Sequence, residues 1–160
     1  MTLPIPFRDR VRARDGIVDL LLFRVGDEMF AAELRAVEEA IETPELHPLP
    51  EMRGALLGAF EHRERMIALY TPARALGRAP TAGVPVALVV RVSERRIGLV
   101  VQDVDDVMTL DLAELRDPPV LGDADGVLLG VAHRGRSLVA LVDVEALVAA
   151  CLFDRQMETA

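Results

Sequence analysis

The chain has 160 residues, enough for one domain with a sizeable core or for two small lobes. Hydrophobic residues make up 51% of it, but aromatic residues make up only 4% and Trp is absent, so the core must be built from aliphatic side chains. The formal net charge of −8 repels phosphate backbones and anionic membrane surfaces, which disfavours nucleic-acid binding.

Three features of the sequence indicate a cytoplasmic protein without disulfides. No apolar run approaches the roughly 20 residues that span a bilayer. The N-terminus has its apolar residues before its basic ones, which is the reverse of a signal peptide. The one cysteine, Cys151, cannot form an internal disulfide and is expected to be a small core residue.

The first quarter of the chain is predicted to contain a tail, a hairpin and a helix. Residues 1–16 mix Pro, Arg and Asp without periodicity and are expected to be a solvated arm. The runs "VDLLLFRV" and "EMFAA" are predicted strands on either side of a Gly-Asp turn. In "ELRAVEEAI", the spacing of Leu34, Val37 and Ile41 predicts a helix with acids on its opposite face.

The remaining elements are mostly hairpins. After the Pro-rich connector "TPELHPLP" comes a hairpin with a charged tip, "GAFEHRERMIALY", and a predicted short helix, "TPARALG". The pairs "VALVVRV" with "RIGLVV" and "VLLGVAH" with "SLVALVDV" predict two more hairpins. Asp143 is expected to cap a final helix, "VEALVAACLF". Eight to ten short strands indicate a barrel or sandwich and not a parallel βαβ sheet.

An internal repeat is the most informative feature of the sequence. The segment "LLFRVGDEMFAAELRAVEEAI" from Leu21 aligns without gaps with "LVVRVSERRIGLVVQDVDDVM" from Leu88. A second pair, "LLGAFEHRERMIALY" from Leu56 and "LLGVAHRGRSLVALV" from Leu128, follows at nearly the same offset. Chance similarity between Val- and Leu-rich strands is the alternative. Because the two segments keep their order, we favour a duplication that produces two similar lobes.

With these pieces in this order, the chain resembles a CheW-like domain, the adaptor fold of bacterial chemotaxis. The resemblance covers about Val18 to Leu152 and rests on "LFRVGDEMFAAELRAVEEAI", "LPEMRGALLGAF", "RRIGLVVQDVDDV" and "LLGVAHRGRSLVALVDVEAL". It implies a mainly β fold with two SH3-like five-stranded β-barrel lobes and a few short helices. We accordingly predict a CheW-like domain over residues 17–153, an N-terminal tail over 1–16 and a C-terminal tail over 154–160.

The resemblance also implies a function. CheW-like adaptors have no catalytic activity and bridge the cytoplasmic tips of chemoreceptors to the regulatory domain of a chemotaxis-type histidine kinase. We therefore predict a non-catalytic adaptor that binds one or both of these partners. We also predict no cofactor, no metal, no nucleic-acid partner and no direct insertion into a membrane.

The charged hairpin "EHRER" departs from the family's pattern. CheW-like domains typically have an Asn-x-Arg-Gly turn there, followed by a strand that ends in Asp-Leu. This chain keeps the Arg as Arg63 but has Glu61 for Asn, Glu64 for Gly and Thr71-Pro72 for Asp-Leu. Because a non-Gly residue is strained at φ > 0, we expect the conformation of the tip to change.

The family also has a Val-x-Glu motif ahead of this hairpin, in a region that contributes to receptor and kinase contacts. Val37 and Glu39 match it. The alternative is structural, with Val37 on the apolar stripe of a helix and Glu39 on its solvent-exposed face. The candidate protein-binding residues are therefore Val37, Glu39, Gly58, Glu61, Arg63 and Glu64.

The acidic stretch from Asp103 to Asp111 could hold a metal ion or an acid–base pair. It contains no Gly for the sharp turn of a calcium loop, and its Val104 and Val107 are expected in the core, so a solvated acidic face is favoured. "GDADG", ending at Gly126, is better explained as a turn. An enzyme that uses these carboxylates is the distant alternative, and stabilisation by calcium, magnesium or manganese ions would support it.

The sequence contains no residue pattern typical of other kinds of catalytic site. His47, His62 and His133 each lie beside a turn or connector, and no two have metal-ligand spacing. The sequence contains no Gly-x-Ser-x-Gly motif, P-loop or dinucleotide fingerprint. The main alternative to a working adaptor is thus a divergent CheW-like module that has lost one or both interfaces and binds another protein.

Overall fold

The computed structural model describes residues 5–50, 52–118 and 126–157, with the backbone alone from residue 154. The described chain forms two α-helices and ten strands, with 3-10 turns at Leu34–Ala36 and Leu112–Glu114. These elements are α1 (Phe7–Ala13), β1 (Ile17–Val25), β2 (Glu28–Glu33), β3 (Val37–Glu42), β4 (Leu56–His62), β5 (Arg65–Tyr70), β6 (Val86–Val92), β7 (Arg95–Val101), β8 (Asp103–Asp111), β9 (Leu128–Arg134), β10 (Ser137–Val142) and α2 (Val144–Met157). The turn predicted over "GDADG" lies, up to residue 125, outside the described residues.

Four antiparallel hairpins lie where the sequence predicts them. They pair β1 with β2, β4 with β5, β6 with β7 and β9 with β10. The turn between β1 and β2 contains Gly26 at φ +61°, a conformation that Gly adopts without steric cost. The predicted mainly β fold is confirmed.

β1 is apolar along most of its length because both of its faces are buried. Leu20 and Leu22 point into one hydrophobic core, whereas Leu21 and Phe23 point into another, and none is more than 8% exposed. β6 has the same arrangement, with alternate residues in two different cores. A strand that is buried on both faces reads as a continuous hydrophobic run instead of an alternating one.

The strands form two five-stranded sheets, which we name lobe A and lobe B. Lobe A has the order β8-β1-β2-β10-β9 and lobe B the order β3-β6-β7-β5-β4. Each lobe has its own hydrophobic core. A third core lies between the lobes and includes Phe23 and Phe30 from lobe A with Leu88 and Leu99 from lobe B.

The internal repeat explains this topology. If β1–β5 are matched in order with β6–β10, the strand order of lobe A becomes that of lobe B. The parallel pairs agree residue by residue, since Leu141 faces Ala31 in lobe A and the equivalent Leu69 faces Gly98 in lobe B. The lobes are therefore topological copies. Each one draws strands from both halves of the sequence, so neither half forms a lobe alone.

Two predicted helices are wrong. In "ELRAVEEAI", the 3-10 turn leads into β3, which pairs antiparallel with β6 from Val37 to Glu42. The half-buried positions of β3 alternate, so the apolar spacing that fits a helix also fits a strand, and pairing with β6 decides between them. "TPARALG" forms a single hydrogen-bonded turn that ends at Gly77, with φ +67°.

The segment expected to be a solvated arm contains α1, so that expectation is corrected. Val11 is only 3% exposed and belongs to the core of lobe A, and Phe7 packs against the same core. Three arginines attach the helix to separate elements. Arg8 Nε donates to Asp143 Oδ2 at 2.8 Å, Arg10 lies 3.5 Å from Glu33, and Arg14 Nη2 lies 2.6 Å from Asp117. No local pattern indicates these contacts, because the partners lie 23 or more positions away in the chain.

The C-terminal helix matches its prediction in position and cap. The Asp143 carboxylate accepts a hydrogen bond from the Glu145 amide at 3.1 Å. Cys151 is buried, as expected. α2 continues to Met157, beyond the predicted end at Phe153. Among the described residues, no helix is both long and apolar enough to cross a bilayer. The limits of the domain itself remain a prediction.

A groove of about 540 Å³ between α1, α2 and the turn of β6–β7 has Glu33 in its wall. Burial raises the pKa of the Glu33 carboxyl, and the nearby Asp143 adds to this, while Arg10 and Arg35 partly offset it. A raised folded-state pKa gives stability that is present below the unfolded-state pKa and is lost as pH rises through the folded-state value.

Glu33→Gln is therefore expected to gain stability relative to the wild type as pH rises. The gain in free energy of unfolding should grow from about pH 4 to about pH 7, because only the wild type must ionise a buried carboxyl there. Urea titrations of both proteins across this range measure it, with the exposed Glu42→Gln as the control. A difference that stays constant or shrinks with rising pH contradicts the expectation.

Candidate protein-docking surface

The tip of the β4–β5 hairpin is a tight two-residue turn. His62 pairs with Arg65, and the two residues between them, Arg63 and Glu64, have φ +51° and +66°. Both angles fall where hairpin turns of type I′ require them, a conformation that costs a non-Gly residue roughly 1–2 kcal/mol. The turn thus has two positive φ angles without a Gly, whereas in the repeat-related β9–β10 turn a glycine, Gly135, has φ +60°.

Five side chains at this tip form a connected group, which we name the tip cluster: Glu38, Glu39, His62, Arg63 and Arg96. The Glu39 Oε2 atom lies 2.8 Å from His62 Nε2 and accepts a hydrogen bond from Arg63 Nη2 at 3.2 Å. The other ring nitrogen of His62 contacts Arg96 Nη2. Arg96 Nε in turn donates to Glu38 Oε2 at 3.1 Å.

A bulge in β3 places two adjacent acids in the same cluster. Val37 faces Val90 of β6 and Glu39 faces Val89, so Glu38 is an extra residue in the pairing. In a regular strand, neighbouring side chains point to opposite faces, and a bulge changes that alternation locally. Glu38 therefore reaches Arg96 while Glu39 reaches His62.

The tip cluster joins the two edges of lobe B. β3 and β4 are the outer strands of its sheet, and the contact between Glu39 and His62 connects them directly. Arg96 comes from β7, the central strand. Polar side chains at this end of the lobe thus connect edges that are not joined there by strand pairing.

The structure brings Glu39 and Arg63 together and places the other candidates around them. Val37 is half-buried against the interlobe core. Glu61 and Glu64 are exposed, and Glu61 lies opposite Met66, which is 57% exposed. Gly58 is buried and apart from the cluster: at φ +147°, an added Cβ would lie 3.0 Å from the carbonyl oxygen of His47.

Glu38, His62 and Arg96 are not among the residues predicted from the sequence. The repeat could have indicated Glu38 and His62, because it aligns Glu38 and Glu39 with Asp105 and Asp106 and His62 with Arg134. In lobe A, Arg134 contacts Asp105 and lies 3.9 Å from Asp106. The same connection between edge strands therefore exists in both lobes, with different residue types.

The acidic stretch of β8 is largely a solvated face, as predicted. Its aspartates are exposed, and Asp103 lies 3.6 Å from Arg24. Val104 packs against the interlobe core, but Val107 is 47% exposed, so its predicted place in the core is wrong. Within the described ranges, no three His, Cys, Asp or Glu side chains converge as metal ligands would.

The fold and the tip cluster together define a class of protein: two equivalent SH3-like β lobes that share an interlobe core, with a charged hairpin at one end. The CheW-like domain family matches residues 19–151. The chain therefore belongs to the CheW-like family.

Chemotaxis proteins and a solved scaffolding protein are among the proteins similar to the chain. It is 29% identical over 140 residues to a chemotaxis protein CheW of Rhizobium meliloti (strain 1021), which covers 82% of this chain and 87% of that protein. It is 25% identical over 136 residues to a probable chemotaxis protein CheW of Rhizobium etli, which covers 82% and 88%. The crystal structure of the scaffolding protein TtCheW from Thermoanaerobacter tengcongensis has a TM-score of 0.72 over 82% of this chain and 92% of that one. At 17% identity, this last similarity is one of fold alone.

Proposed function

We propose that the protein is a non-catalytic adaptor in a chemotaxis-type signalling pathway, which couples the cytoplasmic tips of chemoreceptors to the regulatory domain of a histidine kinase. The observation that carries this proposal is the contact between Glu39 and Arg63 at an exposed hairpin of a CheW-like fold. Both residues stand where the family's motifs have Glu and Arg. The names of the relatives, which are chemotaxis and scaffolding proteins, support the same role.

Docking through the lobes requires apolar contact area with a polar rim. Met66 on β5 is 57% exposed, and Leu138, its counterpart in the repeat, is 55% exposed on β10. Large apolar side chains at equivalent positions of the two lobes fit the centre of an interface, from which charged residues are depleted. Arg63 lies at the turn of the same hairpin as Met66, and Glu39 of β3 is held against Arg63 at 3.2 Å, so both can act as rim charges that set specificity and association rate.

The first experiment is a calorimetric titration of the chain against the kinase regulatory domain and then against a receptor tip. Binding to both supports a coupling adaptor. The alternative, a divergent CheW-like module that has lost one or both interfaces, is favoured by Glu61, Glu64 and Thr71-Pro72, which replace the family's Asn, Gly and Asp-Leu. Binding to one partner alone, or to neither, supports that alternative.

Arg63→Glu is expected to weaken binding roughly tenfold, or about 1.4 kcal/mol, while the domain stays folded. The side chain is 66% exposed, so its removal leaves the core intact, but the new carboxylate faces Glu39. Calorimetry gives the dissociation constant and thermal unfolding gives the stability. Arg65→Glu, an equal change of charge at an exposed position of the same hairpin, is the control. An unchanged dissociation constant for Arg63→Glu removes Arg63 from the proposed interface.

A further inference from the structure

His62 is a nearly buried side chain at the tip of an otherwise exposed hairpin. Its side chain is 9% exposed, whereas that of Arg63, the next residue, is 66% exposed. Both ring nitrogens have partners, Glu39 at Nε2 and Arg96 at Nδ1. Arg96 is itself only 14% exposed. The cluster thus has an inner half, His62 and Arg96, and an outer half, Glu39 and Arg63.

The partners of the ring determine its tautomer. An Arg side chain carries donors only, so Nδ1 must accept the hydrogen bond from Arg96. A neutral imidazole that accepts at one nitrogen donates at the other, so Nε2 carries the proton and donates to the Glu39 carboxylate. Arg96 is oriented in the same way by Glu38, to which its Nε donates.

The inner half of the cluster therefore fixes the side-chain orientations of the outer half. Glu39 is bonded to His62 on one side and to Arg63 on the other, at the same carboxylate oxygen. Without His62, an exposed pair of long side chains would have to order each other, and such pairs gain little because of the side-chain entropy they lose. A side chain that is already held in the bound geometry loses less entropy on docking.

We propose that His62 and Arg96 are positioning residues for partner docking, which act through Glu39 and, beyond it, Arg63. This inference rests on the proposed adaptor function, in which Glu39 and Arg63 contact the partner. His62 and Arg96 themselves do not touch the partner. They fix the direction of the carboxylate and the guanidinium that do.

The tautomer can be tested without a partner. Long-range nitrogen–proton correlation spectra at mildly alkaline pH are expected to show the His62 proton on Nε2 in the wild type. In Arg96→Met, which removes the donor, the signature of an accepting Nδ1 should weaken, while Arg95→Met, a change at an exposed neighbour on the same strand, leaves it intact. A proton on Nδ1 in the wild type, or spectra that do not respond to Arg96→Met, overturns the proposed chain of contacts.

The role in docking is tested by the dissociation constant of the partner. His62→Leu is expected to weaken binding about threefold to tenfold, the effect of one lost side-chain hydrogen bond. His62→Gln should recover part of the affinity, because its amide can donate to Glu39 and accept from Arg96. His47→Leu, the same change at an exposed histidine of the connector before β4, is the control and should bind as the wild type does.

A double-mutant cycle separates positioning from general stability. If His62 acts through Glu39, His62→Leu has little further effect on binding in a Glu39→Gln background. An equal loss in both backgrounds, or wild-type affinity for His62→Leu, overturns the positioning role while leaving the adaptor function standing. If the wild-type chain binds neither the kinase domain nor the receptor tip, the adaptor function fails, and the docking role of His62 fails with it.

Discussion

Replacing Phe60 with Ala is expected to lower the free energy of unfolding by about 3–5 kcal/mol. Phe60 lies on β4, is 0% exposed and is the largest side chain in the core of lobe B. The core contains few aromatic residues, and its remaining aliphatic side chains are too short to fill the vacated volume. Urea unfolding measures the loss. Phe153→Ala, which truncates a phenylalanine that is 59% exposed, should change stability by less than about 0.5 kcal/mol.

Phe60 also explains why Gly98 has no side chain. An added Cβ at Gly98 would lie 2.8 Å from the Phe60 ring and 3.0 Å from Leu69. Gly98→Ala alone should therefore destabilise the fold by about 1–3 kcal/mol, through overpacking. In the Phe60→Ala background the clash with the ring is removed and only the contact with Leu69 remains, so the same methyl group should cost less. Additive effects of the two substitutions would contradict this account.

Replacing Val11 with Asp is expected to lower the free energy of unfolding by roughly 1–3 kcal/mol and to release α1 from lobe A. Val11 is buried in the lobe A core, where a carboxylate finds no partner among the core's apolar side chains. The ion pairs of Arg8, Arg10 and Arg14 are partly exposed, and such pairs contribute too little to hold the helix without this contact.

Hydrogen exchange at the amides of α1, together with urea unfolding, measures both effects. Ala13→Asp introduces the same side chain at an exposed position of the same helix and should cost only a few tenths of a kcal/mol. Retained exchange protection of α1 in Val11→Asp would mean that the arginine contacts suffice. In that case α1 would be an electrostatic attachment that high salt weakens.

Each lobe contains strands from both halves of the sequence, and this determines how the tip cluster is built. β3 carries Glu38 and Glu39 from the first half of the sequence into lobe B, where β7 of the second half supplies Arg96. The tip cluster therefore exists only when both halves are folded together. Because the interlobe core also uses strands of both lobes, the tip cluster belongs to the whole domain and not to a separable module.

The hairpins and the repeat could be predicted because their causes are local. Continuous apolar runs such as the one from Leu20 to Phe23, broken by short polar turns, specify strands wherever they are later placed. The secondary structure of "ELRAVEEAI" could not be predicted, because its apolar spacing fits a helix and a strand equally well. Only the β6 edge beside it, more than 40 residues away in the chain, decides the matter.

The residues of the candidate site likewise divide into those that the sequence could predict and those that only the structure revealed. The family's motifs identified Glu39 and Arg63, and the structure places them 3.2 Å apart. They could not identify Arg96, because its contact with His62 joins residues 34 positions apart through the closure of lobe B. Nor could they separate Gly58 from the others, since its role depends on how closely the backbone at His47 approaches it.

By itself the sequence determined the four hairpins, the duplication and the family, because these follow from periodic burial and from motifs within single elements. Only the tertiary structure decided that α1 is docked, that β3 is a strand and that His62 links Glu39 to Arg96. These features depend on partners distant in the chain, and their energies come from packing and hydrogen bonding across elements, which no local pattern encodes.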